Sequence, residues 1–364
     1  MRLLRLSLAP RIPPDGRNPS EKRKSSSGEG TIMVDLWKVK GLELFPLLEE
    51  AHWDFRISRA LQVANALGLF TTLAERSLSA RELSAELGTD EGYTERLLIV
   101  LCALGLLEKV EGGYRNTLLA ETFLVRGAPL YQGDAIAHAA NVWDFWHRLE
   151  AVVRTGRREA SLAELPPPPP QAAHECFIRA MHNLSITGPA QMVAQTVDLS
   201  SARRLLDVGG GPGTYSIAFC QRYPHLECVV FDLPQTLEIA REVVAQFGLS
   251  HRIHLQPGDW NRDEFGEDFD AVLLSNVLHG PGSHASMKLT KAHRALKPGG
   301  WLLAHDFLLN AQKTGPLQAA LFNLMVGAYS EPELRAELEA AGFVEVRLMA
   351  YGRRGNALMV GRKP

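Results

Sequence analysis

The chain has 364 residues, 46% hydrophobic and 22% charged, enough to bury a large core and to build two domains. Lys and Arg (39) nearly balance Asp and Glu (41), a formal charge of -2 that argues against a general nucleic-acid or membrane-surface binder. No apolar run approaches the roughly 18 residues needed to span a bilayer.

Residues 1–32 contain Pro13-Pro14-Asp15-Gly16, Glu21-Lys22-Arg23-Lys24 and Ser25-Ser26-Ser27-Gly28. Such a stretch buries too little surface to offset its ordering entropy, and disorder is expected. Leu3-Leu4-Arg5-Leu6 is too short for a signal-peptide core; the basic, serine-containing composition also fits an organelle transit peptide, or an upstream start with Met33 as an alternative. Residues 34–50 are expected to include a helix that packs on a partner chain, and His52 to Phe70 to form one long amphipathic helix. Ser79-Ala80-Arg81-Glu82 is a capping box that opens a helix to Leu87, and Gly88-Thr89-Asp90 turns into a second helix, Glu91 to Leu104. Leu106 to Val110 and Tyr114 to Asn116, joined by Glu111-Gly112-Gly113, read as a two-stranded wing. A helix–turn–helix with a wing is a DNA-binding shape. Here, however, the second helix opens with Asp90, Glu91 and Glu95 against Arg96, which repels phosphates, so no nucleic-acid partner is expected.

Trp143, Phe145 and Trp146 fall together on a helix-like run and read most simply as packing between domains, and Pro166 to Pro170 form a stiff polyproline II spacer. The richest segment follows: Leu205-Leu206-Asp207-Val208-Gly209-Gly210-Gly211-Pro212-Gly213-Thr214, a strand, a glycine turn and the opening of a helix to Gln221. Bare backbone at such a turn lets a ligand approach closely. A dinucleotide fingerprint needs Gly-x-Gly-x-x-Gly, and Thr214 or Ser216 occupies the third glycine position. Asp207 would repel a pyrophosphate but suits a cation, so S-adenosylmethionine (SAM), with its ammonium and sulfonium, fits better than NAD. A second strand, Leu226 to Phe231, ends at Asp232, 21 residues after Gly211, where an acid can accept from both ribose hydroxyls; that spacing alone also fits NAD. A third, Arg252 to Gln256, leads into Gly258-Asp259-Trp260, where an acid could meet the adenine amino group and an indole the purine face. A fourth, Phe269 to Leu274, ends at Ser275-Asn276-Val277-Leu278-His279, and a fifth, Trp301 to Ala304, ends at His305-Asp306. Ser330 to Glu333 is another capping box, opening a helix to Ala341, and the strands Phe343 to Met349 and Asn356 to Gly361 close the chain as a hairpin. Cys102, Cys176, Cys220 and Cys228 form no C-x-x-C pair and read as four reduced, buried thiols of a cytoplasmic protein; no metal site is expected.

Five of these motifs stand in one order: Asp207-Val208-Gly209-Gly210-Gly211-Pro212-Gly213, Phe231-Asp232-Leu233-Pro234, Gly258-Asp259-Trp260, Val277-Leu278-His279 and Leu296-Lys297-Pro298-Gly299-Gly300. On them, residues from about 50 to 361 resemble the SAM-dependent O-methyltransferases of the caffeate and acetylserotonin (hydroxyindole) type. The resemblance implies an α/β fold: a Rossmann-like, mostly parallel sheet with a C-terminal antiparallel hairpin, plus a mainly helical, winged-helix dimerisation domain. The divisions expected are a disordered 1–32, a dimerisation domain over 33–140, connecting helices lining the substrate site over 141–192, and a SAM-binding catalytic domain over 193–364. It implies a homodimer with no nucleic-acid or membrane partner, and SAM held by Asp207, Gly209, Gly211, Asp232, Leu233, Asp259, Trp260 and Asn276. It also implies a small hydroxylated acceptor bounded by Met181, Trp143 and Phe177, with His279 as general base and Asp306 as the acid beside it. For Met181, against an acceptor ring, plain packing is an equal alternative.

A phenol with a pKa near about 10 is mostly neutral at neutral pH, and an imidazole near about 6.5 can take its proton as the bond to carbon forms. Two departures from the family stand out: Gly280 replaces an Asp that commonly follows the histidine, and the stretch Met325 to Ser330 is short. Two other functions are weighed. A relative that no longer methylates (a decarboxylase, hydroxylase or pericyclase) would have lost the base, which His279 argues against. A non-catalytic winged-helix regulator would need a basic recognition helix, which the acidic helix opposes.

Overall fold

The computed structural model describes residues 45–157 and 171–364; the segment 1–32, most of the 34–50 segment and the Pro166–Pro170 spacer lie outside the described residues. Residues up to Asp54 and residues from Phe55 onward form two separate units. In the first, α1 (Phe45–Trp53) is the described element.

The second unit opens with helices α2 (Phe55–Ala66), α3 (Leu69–Thr72), α4 (Ala80–Leu87) and α5 (Glu91–Ala103), strands β1 (Leu107–Val110) and β2 (Gly113–Asn116), and α6 (Leu118–Leu124). His52 to Phe70 is therefore not one long helix. Gly68 takes a left-handed φ of 72° between α2 and α3, a conformation that stops one helix and lets the next begin. The capping box is formed: Ser79 N–H donates to Glu82 Oε2 (2.8 Å) and Glu82 N–H to Ser79 Oγ (3.2 Å). Asp90 caps α5 by accepting from Tyr93 N–H (2.8 Å). β1 and β2 pair antiparallel as the expected wing, and Leu69, Phe70, Leu83, Leu98 and Leu101 form the core beneath them.

Five helices connect this region to the sheet: α7 (Gly133–Asn141), α8 (Trp143–His147), α9 (Leu149–Thr155), α10 (Gln171–Ile186) and α11 (Pro189–Thr196). Of the packing expected for Trp143, Phe145 and Trp146, Trp143 lies against Phe55 and Arg59 of α2, but α8 has no buried residue and Trp143 is 37% exposed.

The rest alternates strand and helix: β3 (Arg204–Val208), α12 (Thr214–Arg222), β4 (Glu227–Asp232), α13 (Pro234–Gln246), β5 (Ile253–Pro257), β6 (Phe269–Ser275), α14 (Ala285–Ala295), β7 (Leu296–Leu309), α15 (Leu317–Met325), β8 (Tyr329–Ser330), α16 (Glu331–Ala340), β9 (Val344–Tyr351) and β10 (Asn356–Arg362). The sheet runs β5-β4-β3-β6-β7-β10-β9, parallel through β7 and antiparallel at β10 and β9, with β8 paired to β7. This is the mostly parallel sheet with a closing antiparallel hairpin that the sequence predicts. Its inner strands are covered on both faces, which is why β3 and β6 read as near-continuous apolar runs. One face packs residues such as Phe219, Val230 and Ala240; the other packs Val272, Leu289 and Leu302. The chain leaves β3 toward β4 and returns on its other side at β6, so a crevice opens at the carboxyl ends of β3 and β6, where ligands of such sheets bind.

Two further expectations are corrected. The fifth strand is much longer than Trp301 to Ala304: β7 holds Asp306 within the sheet, because β10 pairs with it as far as Phe307. Of the four cysteines, Cys220 and Cys228 are buried, while Cys102 and Cys176 are partly exposed. No helix of the described residues is long and apolar enough to cross a membrane.

Candidate active site

β6 and β7 run parallel, with Ser275 opposite His305. That register brings the loop after β6 beside the middle of β7. His279 Nδ1 lies 3.0 Å from Asp306 Oδ1. Asp306 is 3% exposed, and its carboxylate also accepts from Leu278 N–H (2.9 Å) and Phe307 N–H (2.8 Å). Burial pushes this carboxyl up, but the His279 ring and the two amides outweigh it and hold it below the usual carboxylate range. With Nδ1–H donating to Asp306, Nε2 keeps its lone pair. The imidazole rests against Phe322 of α15 (centroids 5.0 Å apart), which stacks on Phe307 (4.1 Å, 16°). His305, the neighbour of Asp306, points to the other face as expected, with Nδ1 within hydrogen-bond distance of Ser275 Oγ (3.0 Å) and Tyr215 Oη (3.3 Å).

The two departures noted in the sequence meet here. A Cβ on Gly280 would lie 3.0 Å from Ala328 N, and one on Gly327 would lie 2.9 Å from the His279 carbonyl oxygen. The glycine loop and the 325–330 stretch therefore lie backbone to backbone beside His279.

On the β3 side Asp207 is wholly buried. Ser216 Oγ donates to its Oδ2 (2.8 Å), while Oδ1 has no partner. Burial, reinforced by Asp232 and opposed by Ser216, pushes its pKa up to about 7. Gly209 has φ 64°, and a Cβ there would sit 2.6 Å from the Trp260 ring. Asp232 accepts from Gly211 N–H (2.8 Å) and Leu233 N–H (2.7 Å), so it ties the glycine turn to the start of α13. Asp259 accepts from Asn261 N–H (2.8 Å), and Asn276 donates from its amide to Ser275 Oγ (3.1 Å). These residues thus gather at the carboxyl ends of β3, β4, β5 and β6.

The acceptor-side residues divide. Phe177 and Met181 lie on α10, Phe177 with its ring edge-on to His138 (5.3 Å). Trp143 stands instead beside Phe55 (6.4 Å) and Arg59 (6.0 Å) of α2.

Comparison with known proteins fixes the family. Residues 51–126 match the O-methyltransferase dimerisation domain, and residues 169–346 match the O-methyltransferase domain. The 3-hydroxy-5-methyl-1-naphthoate 3-O-methyltransferase of Streptomyces sahachiroi is 35% identical over 320 residues, covering 84% of this chain and 92% of that one. The chain belongs to the SAM-dependent O-methyltransferase family. Bovine acetylserotonin O-methyltransferase is 33% identical to this methyltransferase over 334 residues, covering 85% and 95% of the two chains. The solved structure of human N-acetylserotonin methyltransferase with SAM superposes with a TM-score of 0.79 at 26% identity, covering 88% of this chain and 98% of that one.

The methyltransferase has a cradle that suits its cofactor. A buried carboxylate oxygen without a partner, beside a turn where a Cβ on Gly209 or Gly210 would clash with Trp260 or with Asp207 itself, is a site that welcomes a cation. Sequence reasoning missed Phe322 and Phe307, whose role depends on an aromatic stack across 15 residues of chain. It missed His182 and His174 on α10, which lie at hydrogen-bond distance from Thr214 Oγ1 (2.8 Å) and Thr236 Oγ1 (3.1 Å) at the starts of α12 and α13. It also missed Lys288 and Lys291 of α14, although two lysines interleaved with Ala285, Leu289 and Ala292 on a helix's apolar face were visible in the chain.

Proposed function

We propose that this methyltransferase acts on a hydroxyl of a small aromatic or polyketide-like acceptor, with His279 as general base and Asp306 as the acid that orients it. The 3.0 Å contact between His279 and Asp306 carries the reading. When bound, SAM supplies an electrophilic methyl carbon and a positive sulfonium. Asp207 would face its ammonium, Asp232 and Leu233 its ribose, and Asp259, Trp260 and Asn276 the adenine end, with Gly209 and Gly211 giving it room. Asp306 fixes the Nδ1–H tautomer, so Nε2 takes the hydroxyl proton as the acceptor becomes nucleophilic. The Phe322 and Phe307 rings form an apolar wall at the base that suits a flat acceptor. An intact base also favours methylation over a relative that has lost it.

The wider reading keeps the domain divisions at 33–140, 141–192 and 193–364 and makes the first of these the interface of a homodimer. The match to a dimerisation domain supports it. So does an apolar groove of about 460 Å³ between α2 and α5, flanked by Tyr93, which is 72% exposed. Unpaired thiols suit a cytoplasmic setting.

The test is a methyl-transfer assay with labelled SAM and a panel of phenols, hydroxyindoles and polyketides. His279→Ala lowers turnover by about 10²–10⁴ at neutral pH, with SAM affinity retained. The loss narrows as pH rises toward the acceptor's own pKa, since a preformed phenolate needs no base. Asp306→Asn gives a smaller defect. Near-normal turnover of His279→Ala with a phenolic acceptor would remove the base from the mechanism.

A further inference from the structure

α10 carries Phe177 and Met181, and it is fastened to both helices that leave the glycine turn and Asp232. His182 Nδ1 lies 2.8 Å from Thr214 Oγ1, on the first residue of α12, directly after Gly213. Eight residues earlier, His174 Nε2 lies 3.1 Å from Thr236 Oγ1 in the first turn of α13, which follows Asp232 and Leu233. Between the two, Arg179 donates to Glu242 of α13 (2.7 Å). Both hydroxyls are sealed from water: Thr214 is 3% exposed and Thr236 1%. Burial, with Arg179 beside the ring, pulls the His182 pKa down to about 4, so its contact with Thr214 joins two uncharged groups.

The two histidines are about 12 Å apart along the helix and fall on one stripe of it. Phe177 and Met181, four residues apart, fall on the adjoining stripe. Ile178, Ala180 and Ile186 already bury α10 by apolar packing. Imidazoles on that face suffer a desolvation that apolar side chains would not, so the pair fixes where the helix sits rather than whether it packs. We propose that His182 and His174 are positioning residues that tie α10 to the cofactor cradle, so that SAM binding sets the placement of Phe177 and Met181. This rests on the reading of the turn after β3 as the SAM cradle. A ligand that stills the starts of α12 and α13 passes that order to α10 through the two contacts. The acceptor then meets a wall already in place.

The test is amide hydrogen exchange of the whole protein with and without S-adenosylhomocysteine, the demethylated cofactor. In the parent it slows exchange in the glycine turn and in α10 alike. His182→Leu and His174→Leu keep bulk but lose the contact. In the ligand-bound Leu variants α10 exchanges roughly two- to tenfold faster, the worth of one hydrogen bond, while the glycine turn stays protected. His182→Asn sets an amide where Nδ1 stands, and His174→Gln sets one where Nε2 stands; both restore slow exchange. Thr214→Val removes the hydroxyl instead and gives the same quickening, which covers a His182 variant that fails to fold. Leu variants that match the parent overturn the proposal, as do Asn and Gln variants that behave like Leu, since packing alone would then account for α10. If the ligand protects the glycine turn of the parent but not α10, the coupling falls and the cradle stands. If it protects neither, the cradle reading falls as well.

Discussion

Asp207, next to last in β3, has one carboxylate oxygen held by Ser216 and the other facing no donor. Its pKa of about 7, against 3.8 for an ordinary aspartate, has consequences of one sign. The folded protein holds this proton more tightly than the unfolded chain. The stability this contributes is full below the unfolded value and is lost as pH rises through about 7. A cationic ligand favours the ionised form, so with the SAM ammonium at Asp207, as proposed, the proton would compete with SAM below about pH 7. SAM affinity, measured by calorimetry, is expected to strengthen from about pH 6 to about pH 8, and the thermal shift that SAM induces should grow over the same range. Asp207→Asn keeps the shape, removes the charge and should flatten both trends. A hydrogen bond to a charged group is worth about 1.5–3 kcal/mol, so the variant should also bind SAM roughly ten- to a hundredfold more weakly. An affinity independent of pH in the parent protein would place the ammonium elsewhere.

At the scale of elements, the loop from Gly280 and α15 together frame the imidazole. Gly327 has φ 121°, and a Cβ there would press on the His279 carbonyl. Gly327→Ala should therefore lower kcat while leaving SAM affinity near the parental value. Phe322→Ala, which removes the ring against His279, should raise KM for the acceptor more than KM for SAM. Equal changes in both KM values would deny α15 a place at the acceptor. The strands that carry the cofactor residues were legible in the chain because parallel strands buried on both faces are apolar runs, each broken by a polar turn. Asp207 and Asp232 were legible for the same reason, as the first polar residues after such runs, whereas Asp259 and His279 were legible from the motifs Gly258-Asp259-Trp260 and Val277-Leu278-His279. β7 was not. Lys297-Pro298-Gly299-Gly300 reads as a turn, yet Gly299 and Gly300 exchange backbone hydrogen bonds with Lys363 (2.9 Å each), so tertiary pairing overrides local preference. The Phe322–His279 contact was hidden because nothing local ties α15 to the loop after β6. Trp143 misled in the opposite way: three aromatics within four residues suggest a core, but α8 lies at the surface.

At the scale of the whole molecule, the exposed apolar residues of the helical region exceed what a free surface needs. Tyr93 (72% exposed), Ile99 (56%) and Leu118 (83%) stand on α5 and α6. Obligate dimer interfaces bury on the order of 2,000–5,000 Å². Light scattering should report a dimer at micromolar concentration, and Leu118→Glu together with Ile99→Glu should shift it toward monomer. A monomer in the parent protein would refute the homodimer.

One strand measures out two places at once. His305 and Asp306 are consecutive in β7 and serve opposite faces, one beside Tyr215 and Ser275 and the other beside His279. A slip of a single position would turn both side chains to the wrong face at once. β10 guards against this, with Leu358 opposite His305 and Ala357 opposite Asp306. One strand register therefore sets both contacts together, that of His305 with Ser275 and that of Asp306 with His279.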